Sequence, residues 1–163
     1  MRDALILAGL TLGAVAALFP AKEGARPAPA SATPTAIPEQ TGRGIALARA
    51  GDGHFYAPVI LGARATTMLV DTGASVVALT GADARAAGLV WSPGEVGVVA
   101  HGAGGPVRGV RVTLDRLVLG PHEARHVPAV IVPDGLPMSL LGQSFLREVE
   151  PVRIEANRMT LGR

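Results

Sequence analysis

Thr67-Met68-Leu69-Val70-Asp71-Thr72-Gly73-Ala74-Ser75 decides how this chain reads. An apolar run of strand-forming residues ends on one carboxylate, and a glycine follows two positions later. Glycine accepts backbone dihedrals that other residues avoid, so the strand turns sharply there. An acid at the end of an apolar strand is costly to ionise, and such a carboxylate is chemically useful. The tripeptide alone is common, so its meaning comes from what surrounds it.

Working outward, the flanking residues alternate and break like short strands. Ile45-Ala46-Leu47-Ala48 and Phe55 to Leu61 flank Gly51-Asp52-Gly53-His54, a hairpin signal. Thr66 to Val70 runs into Asp71, and Val76 to Leu79 resumes beyond the turn. Thr80 reads as a helix N-cap with Asp83 three residues on; Ala84 to Ala87 continues the helix and Gly88 stops it. Glu95 to Ala100 and Val107 to Val112 alternate again around His101-Gly102-Ala103-Gly104-Gly105-Pro106, a glycine-rich hairpin tip. Leu114 to Leu119, Val127 to Val132, Val152 to Glu155 and Arg158 to Leu161 read as further strands, with a short helix from about Ser144. The fold class is all-β: a small closed, barrel-like or sandwich-like domain with one or two short helices.

Composition agrees. The 163 residues suit one domain plus an appendage, and 21 Gly with 13 Pro demand many turns. Aromatics are only 3%, so the core must be built from Val, Leu, Ile and Ala. The net charge of +2 comes from scattered residues with no basic run, which argues against a nucleic-acid surface. The chain has no Cys, which excludes disulfides, thiolate catalysis and cysteine metal sites. His122 and His126 have a metal-like spacing, but no His-Glu-x-x-His pattern accompanies them, so they read as a surface pair. The Gly102 to Gly105 stretch lacks the Lys-Ser/Thr of a phosphate loop. No cofactor and no metal are expected.

Three segments follow in order. Ala4 to Phe19 is free of charge, and residues 1–21 read as a hydrophobic helix that anchors the chain in a membrane. A cleaved signal peptide, cut near Ala28-Pro29-Ala30, is the second reading, and a buried helix is the third. Residues 22–41 are Pro/Ala-rich and read as an extended linker, which argues against the buried helix. Residues 42–163 form the domain.

The stretch Leu69 to Ser75, followed downstream by Leu140-Leu141-Gly142-Gln143-Ser144-Phe145-Leu146, resembles the retropepsin-like aspartic proteases, in particular their bacterial membrane-anchored branch. The resemblance covers about residues 43–163. It implies one catalytic aspartate per chain, Asp71, with the active unit completed by homodimerisation on a protein or peptide substrate. It also implies a single-pass protein of the bacterial inner membrane with a periplasmic domain, or an exported one after signal cleavage. Thr72, Gly73, Ala74 and Ser75 would support the site, and Leu140, Leu141 and Gly142 would pass beside the loop and bury it. Ala100, His101, Gly102, Ala103, Gly104 and Gly105 would form a flap over substrate, acting through backbone groups because the tip has no tyrosine.

The chemistry needs two carboxylates sharing one proton, one as base toward water and one as acid. Asp52, Asp83, Asp115 and Asp134 lie in turn, helix-start or charged settings, and none stands before a second Thr/Ser-Gly. The second acid is therefore expected from another copy of Asp71. Small aliphatic residues lining the cleft suggest hydrophobic side chains beside the cut. The alternative is a non-catalytic β module that binds a peptide or partner through the same cleft.

Overall fold

The computed structural model describes residues 38–102 and 105–163. The hydrophobic run 4–19, linker residues 22–37, and Ala103 and Gly104 of the flap tip lie outside the described residues. Among the described residues, no helix is long and apolar enough to cross a membrane.

The domain is mostly β. In chain order its strands are β1 (Glu39–Thr41), β2 (Gly44–Ala48), β3 (Tyr56–Leu61), β4 (Arg64–Val70), β5 (Val77–Thr80), β6 (Gly97–Gly102), β7 (Gly105–Leu119), β8 (His122–Val132), β9 (Leu140–Leu141), β10 (Val152–Glu155) and β11 (Arg158–Leu161). Two short helices interrupt them, α1 (Gly81–Ala86) and α2 (Gln143–Leu146). The strands form a four-stranded sheet, β1-β2-β11-β10, and a seven-stranded sheet, β3-β4-β9-β5-β8-β7-β6. The larger sheet curls until Ile60 and Leu61 of β3 pair with Val118 and Leu117 of β7. The smaller sheet remains a separate open layer, so the domain is two sheets, the larger one curled back on itself.

Three expectations are corrected. The turn at residues 50–54 is present, with the Ala50 N–H donating to the His54 carbonyl at 2.8 Å. Yet β2 and β3 do not form a hairpin. The chain pairs between them only through an isolated bridge, Arg49↔Phe55, and β2 and β3 then part into different sheets. The reason is that β2 is claimed on both sides, by β1 and by the C-terminal β11. That same pairing draws Glu39–Thr41, expected as linker, into the domain as a strand. Finally, the strands expected at 107–112 and 114–119 are one continuous β7, because β8 pairs along most of its length.

The main core lies between the layers. Ile45, Leu47, Met159 and Leu161 of the small sheet join Val59, Leu61, Leu117, Leu119 and Ile131 of the large one. Phe55 and Phe145 are the bulky aromatic members, and Val, Leu, Ile, Ala and the two methionines Met68 and Met159 supply the rest. A second, smaller cluster sits apart from this core. Ala78, Val130 and Val132 meet Val76, Val99, Val107, Leu136 and Leu140 there.

Candidate active site

Asp71 leaves the sheet at the end of β4, and its flanking strands do not pair with each other. The two-residue β9 inserts between them, parallel to β4 (Leu69↔Leu140, Val70↔Leu141) and antiparallel to β5 (Ala78↔Leu140). Leu140-Leu141 therefore holds both ends of the aspartate loop in register. The Asp71 N–H donates to the Leu141 carbonyl at 3.1 Å, and the Val70 N–H to that of Phe55 at 2.9 Å.

Beyond β9 the chain clamps the loop from its far side. The Gln143 N–H donates to the Ala74 carbonyl at 2.8 Å, and its side-chain amide donates to the Thr72 carbonyl at 2.9 Å. Ser144 Oγ accepts the Val77 N–H at 2.9 Å while donating to the Pro128 carbonyl at 2.7 Å. Gly142 makes the crossing possible, since a Cβ there would lie 2.2 Å from the Val76 carbonyl oxygen and 2.8 Å from that of Ala74. Leu141 is buried and Leu140 half-buried, as befits a strand whose two faces differ.

Within the loop the Gly73 N–H donates to Asp71 Oδ1 at 2.8 Å, and the Ala74 N–H to the Asp71 carbonyl at 3.3 Å. This fixes the carboxylate's orientation and leaves Oδ2 without a partner among the described residues. The expected burial is not met in a single chain: Asp71 is half-exposed, and Thr72, Gly73 and Ser75 are exposed. The loop projects from the sheet's end, where none of the described elements buries it.

Strand alternation places Leu69, two positions before Asp71, beside Leu140, Ala78 and Val130 across β4-β9-β5-β8. The second apolar cluster thus lies on the same sheet face as Leu69. Its other wall is the hairpin β6–β7, through Val99 and Val107. Ala100 pairs with Val107, His101 with Pro106 and Gly102 with Gly105, so the described part of this hairpin is paired to its last residues. A register shift at Val99 bends it, and two arginines of β7 latch the bend. Arg111 donates to the Val99 carbonyl at 2.8 Å and Arg108 to that of Val96 at 3.0 Å.

Sequence reasoning missed Ser139. It is fully buried, yet polar, in the residue before β9. Its hydroxyl accepts the Thr80 N–H at 3.0 Å and donates to the Asp83 carboxylate. Its carbonyl accepts the Leu69 N–H at 2.9 Å. Thr80 is the expected N-cap, with Oγ1 accepting the Asp83 N–H at 3.0 Å. Ser139 therefore ties the start of α1 to β4, and the signal was a lone hydroxyl ahead of an apolar pair. Gln143 and Ser144 lay inside the quoted motif, but their clamping roles depend on a chain crossing that no local pattern shows.

Among the described residues, no group of three or more His, Asp or Glu side chains could hold a metal ion. His122 and His126 both lie on β8, where residues four apart are separated by about 13 Å along the strand. Asp52, in the turn beside Phe55, is engaged locally. It accepts the Tyr56 hydroxyl and, at 3.0 Å, the His54 N–H. The Tyr56 bond, with His54 adding to it, holds the Asp52 carboxyl below its usual range, and the same bond pushes the Tyr56 phenol up to about 12.

Residues 57–148 match the model of a family described as gag-polyprotein putative aspartyl protease. The crystal structure of a retropepsin-like aspartic protease from Rickettsia conorii is similar with a TM-score of 0.61 and 30% identity, covering 72% of this chain and 88% of that one. An uncharacterised protein in the cobV 5' region of Sinorhizobium sp. is 33% identical over 118 residues, 72% of this chain and 51% of its own length. An uncharacterised protein of Rickettsia prowazekii (strain Madrid E) is 32% identical over 117 residues, 72% of this chain and 50% of its own. The chain thus spans about half the length of the curated relatives it matches.

Proposed function

Because the chain belongs to the gag-polyprotein putative aspartyl protease family and has a retropepsin-like fold, we propose that it is an aspartic endopeptidase working as a homodimer with one Asp71 from each copy. The observation that carries this reading is the aspartate loop itself. It is bonded on every side to β9 and α2, yet presents an oriented carboxylate with one oxygen unspent. A rigid scaffold holding an exposed acid suits a site whose other half arrives with a second copy.

In the dimer each carboxylate lowers the other's tendency to ionise, so the pair holds one proton at working pH. The ionised member takes a proton from water as that water attacks the peptide carbonyl. The protonated member donates to the carbonyl oxygen, giving a gem-diol; as the C–N bond breaks, the proton taken from water passes to the leaving nitrogen and one gem-diol hydroxyl returns its proton to the dyad. Gly73 N–H keeps Oδ1 fixed through these steps. The apolar cluster around Ala78, Val130 and Leu140 offers floor for hydrophobic substrate side chains, and the β6–β7 flap covers them. The run 4–19 is proposed to hold the domain at the periplasmic face of a bacterial inner membrane, after which residues 22–37 act as spacer. Shaving intact cells lacking an outer membrane with protease tests that placement.

The test of activity uses full-length wild-type and Asp71→Asn protein with a diverse peptide library from acid to neutral pH. Cleavage confined to wild type is expected. Cleavage retained by pure Asp71→Asn protein would refute the role of Asp71. Peptide capture by both proteins without any cleavage would instead favour a binding module.

A further inference from the structure

Strand β7 changes partners in mid-course. Its first residues pair with β6, from Gly102↔Gly105 to Gly97↔Gly109, and from Val110↔Ile131 onward it pairs with β8. The row Gly97↔Gly109 therefore separates the hairpin from the body of the large sheet. The two sides of that row pack into different cores. Val96 and Val110, on the body side, join the main core, whereas Val99 and Val107, on the hairpin side, join the second cluster. No side chain braces the row itself, since both its members are glycine. At Gly97 nothing lies within 4 Å of the place a Cβ would take. At Gly109 a Cβ would meet the Ile131 carbonyl oxygen at 2.3 Å and Val99 Cγ2 at 3.3 Å. The hairpin rests on β8 at one glycine and is unsupported at the other, which is the build of a hinge.

Two side chains cross this row, in opposite directions. Arg111 stands on the body side and donates to the Val99 carbonyl of the hairpin at 2.8 Å. Arg108 stands on the hairpin side and donates to the Val96 carbonyl of the body at 3.0 Å. Side chains alternate along a strand, so residues three apart lie on opposite faces and the hairpin is gripped from both. Register places Arg111 beside Val130, on the face that carries the second cluster. Val99 is the residue that the register shift leaves without a partner in β7, so its carbonyl is available to a side chain. Among the described residues neither guanidinium is paired with a carboxylate.

We propose that Arg108 and Arg111 are positioning residues, paired struts across a glycine hinge. They hold the β6–β7 hairpin over the second apolar cluster and so set how tightly a peptide is held there. Peptide binding at this face rests on the protease reading; the struts themselves rest on the two bonds across the row. A hairpin released at the hinge spends part of its time away from the cluster, and apparent affinity falls by the fraction that stays in place. Once peptide lies beneath it the hairpin is in place again, and the chemistry at Asp71 is unaltered. The struts therefore act on KM and not on kcat.

The test reads both quantities in full-length protein. His101 and Glu148 are exposed, one on the hairpin and one beyond α2, and the chain has no Cys. Spin labels on His101→Cys and Glu148→Cys report the distance between hairpin and body. Labelled chains are diluted with unlabelled ones so that only pairs within one chain are read. Arg111→Ala and Arg108→Ala should each broaden the distance distribution and raise KM about 3–10-fold, the scale of one lost hydrogen bond, with kcat within about twofold. Arg111→Lys, which can still donate to the Val99 carbonyl, should recover part of the loss. Arg116→Ala is the comparison. Arg116 is exposed on the same strand, but its bond is to Glu123 of β8 at 2.8 Å, past the hinge, and neither readout should change. An unchanged distribution in both Arg108→Ala and Arg111→Ala overturns the struts, as does an equal change in Arg116→Ala. A fall in kcat at constant KM overturns their part in holding peptide. Broadened distributions in a chain that cleaves nothing, wild type included, would uphold the struts and count against the protease reading alone.

Discussion

Asp71 and Asp52 begin as the same local motif and end as different chemistry. Each precedes a nearby glycine, and each carboxylate accepts the backbone N–H two residues on, at 2.8 Å from Gly73 and 3.0 Å from His54. Asp52 gives its other oxygen to the Tyr56 hydroxyl and has the His54 ring 3.5 Å away. Among the described residues Asp71's second oxygen has no partner, and the framework around it comes from β9 and α2 as well as from its own turn. The difference teaches that an aspartate turn becomes a candidate site when distant chain segments hold it and local partners do not consume it.

The comparison breaks most sharply on activity. Asp71→Asn should lower peptide cleavage about a thousand-fold, the scale of lost acid–base catalysis, with an unchanged circular dichroism spectrum. Asp52→Asn should leave kcat within about twofold on the same scale of reasoning, since its carboxylate is committed to a surface turn. A large loss of kcat in pure, folded Asp52→Asn protein would erase the distinction.

Next in size are the residues that hold the Asp71 loop. Gly142→Ala forces a Cβ against two carbonyl oxygens and should destabilise the fold by about 1–3 kcal/mol in urea unfolding. Ser139→Ala strands the Thr80 N–H and one acceptor of Asp83, and should cost about 1–3 kcal/mol. It should also speed amide exchange at Leu69 and Asp71 more than at β11. Uniform exchange across the domain would show that Ser139 stabilises generally without fixing the loop.

The smallest effect concerns the committed turn. Tyr56 is the chain's one tyrosine, so tyrosinate absorbance reports it alone. Its titration should centre near 12 in wild type and fall toward 10 in Asp52→Asn. The signs agree with linkage: the raised phenol favours the fold below pH 10 and loses that contribution as pH climbs through 12. The depressed Asp52 carboxyl favours it above 3.8 and loses that contribution in stronger acid. A wild-type midpoint near 10 would mean the Tyr56–Asp52 bond does not form in solution.

The aspartate loop was legible because its signal is local: an apolar strand, an acid, a glycine. The Thr80 cap was legible for the same reason, and its Oγ1 does accept the Asp83 N–H. What stayed hidden depends on pairing across the chain. The turn residues at 50–54 marked a real turn, but they could not reveal that β11 would displace β3 as the partner of β2. Likewise, nothing near Ser139 indicated that its hydroxyl would bridge Thr80 and Asp83, which stand far away in sequence. Val152 to Glu155 reads as a strand from its residues, but only the register with Met159 and Leu47 shows that it is an edge whose Ile154 faces solvent.

One measurement bears most directly on the pairing of two Asp71 side chains. Two copies of the chain are joined by a flexible linker into a single polypeptide, and one half carries Asp71→Asn. The linked wild-type pair should cleave peptide, and the one-sided variant should lose that cleavage as completely as the doubly changed form at concentrations too low for further association. A one-sided variant that keeps about half the wild-type rate would show that each Asp71 works alone.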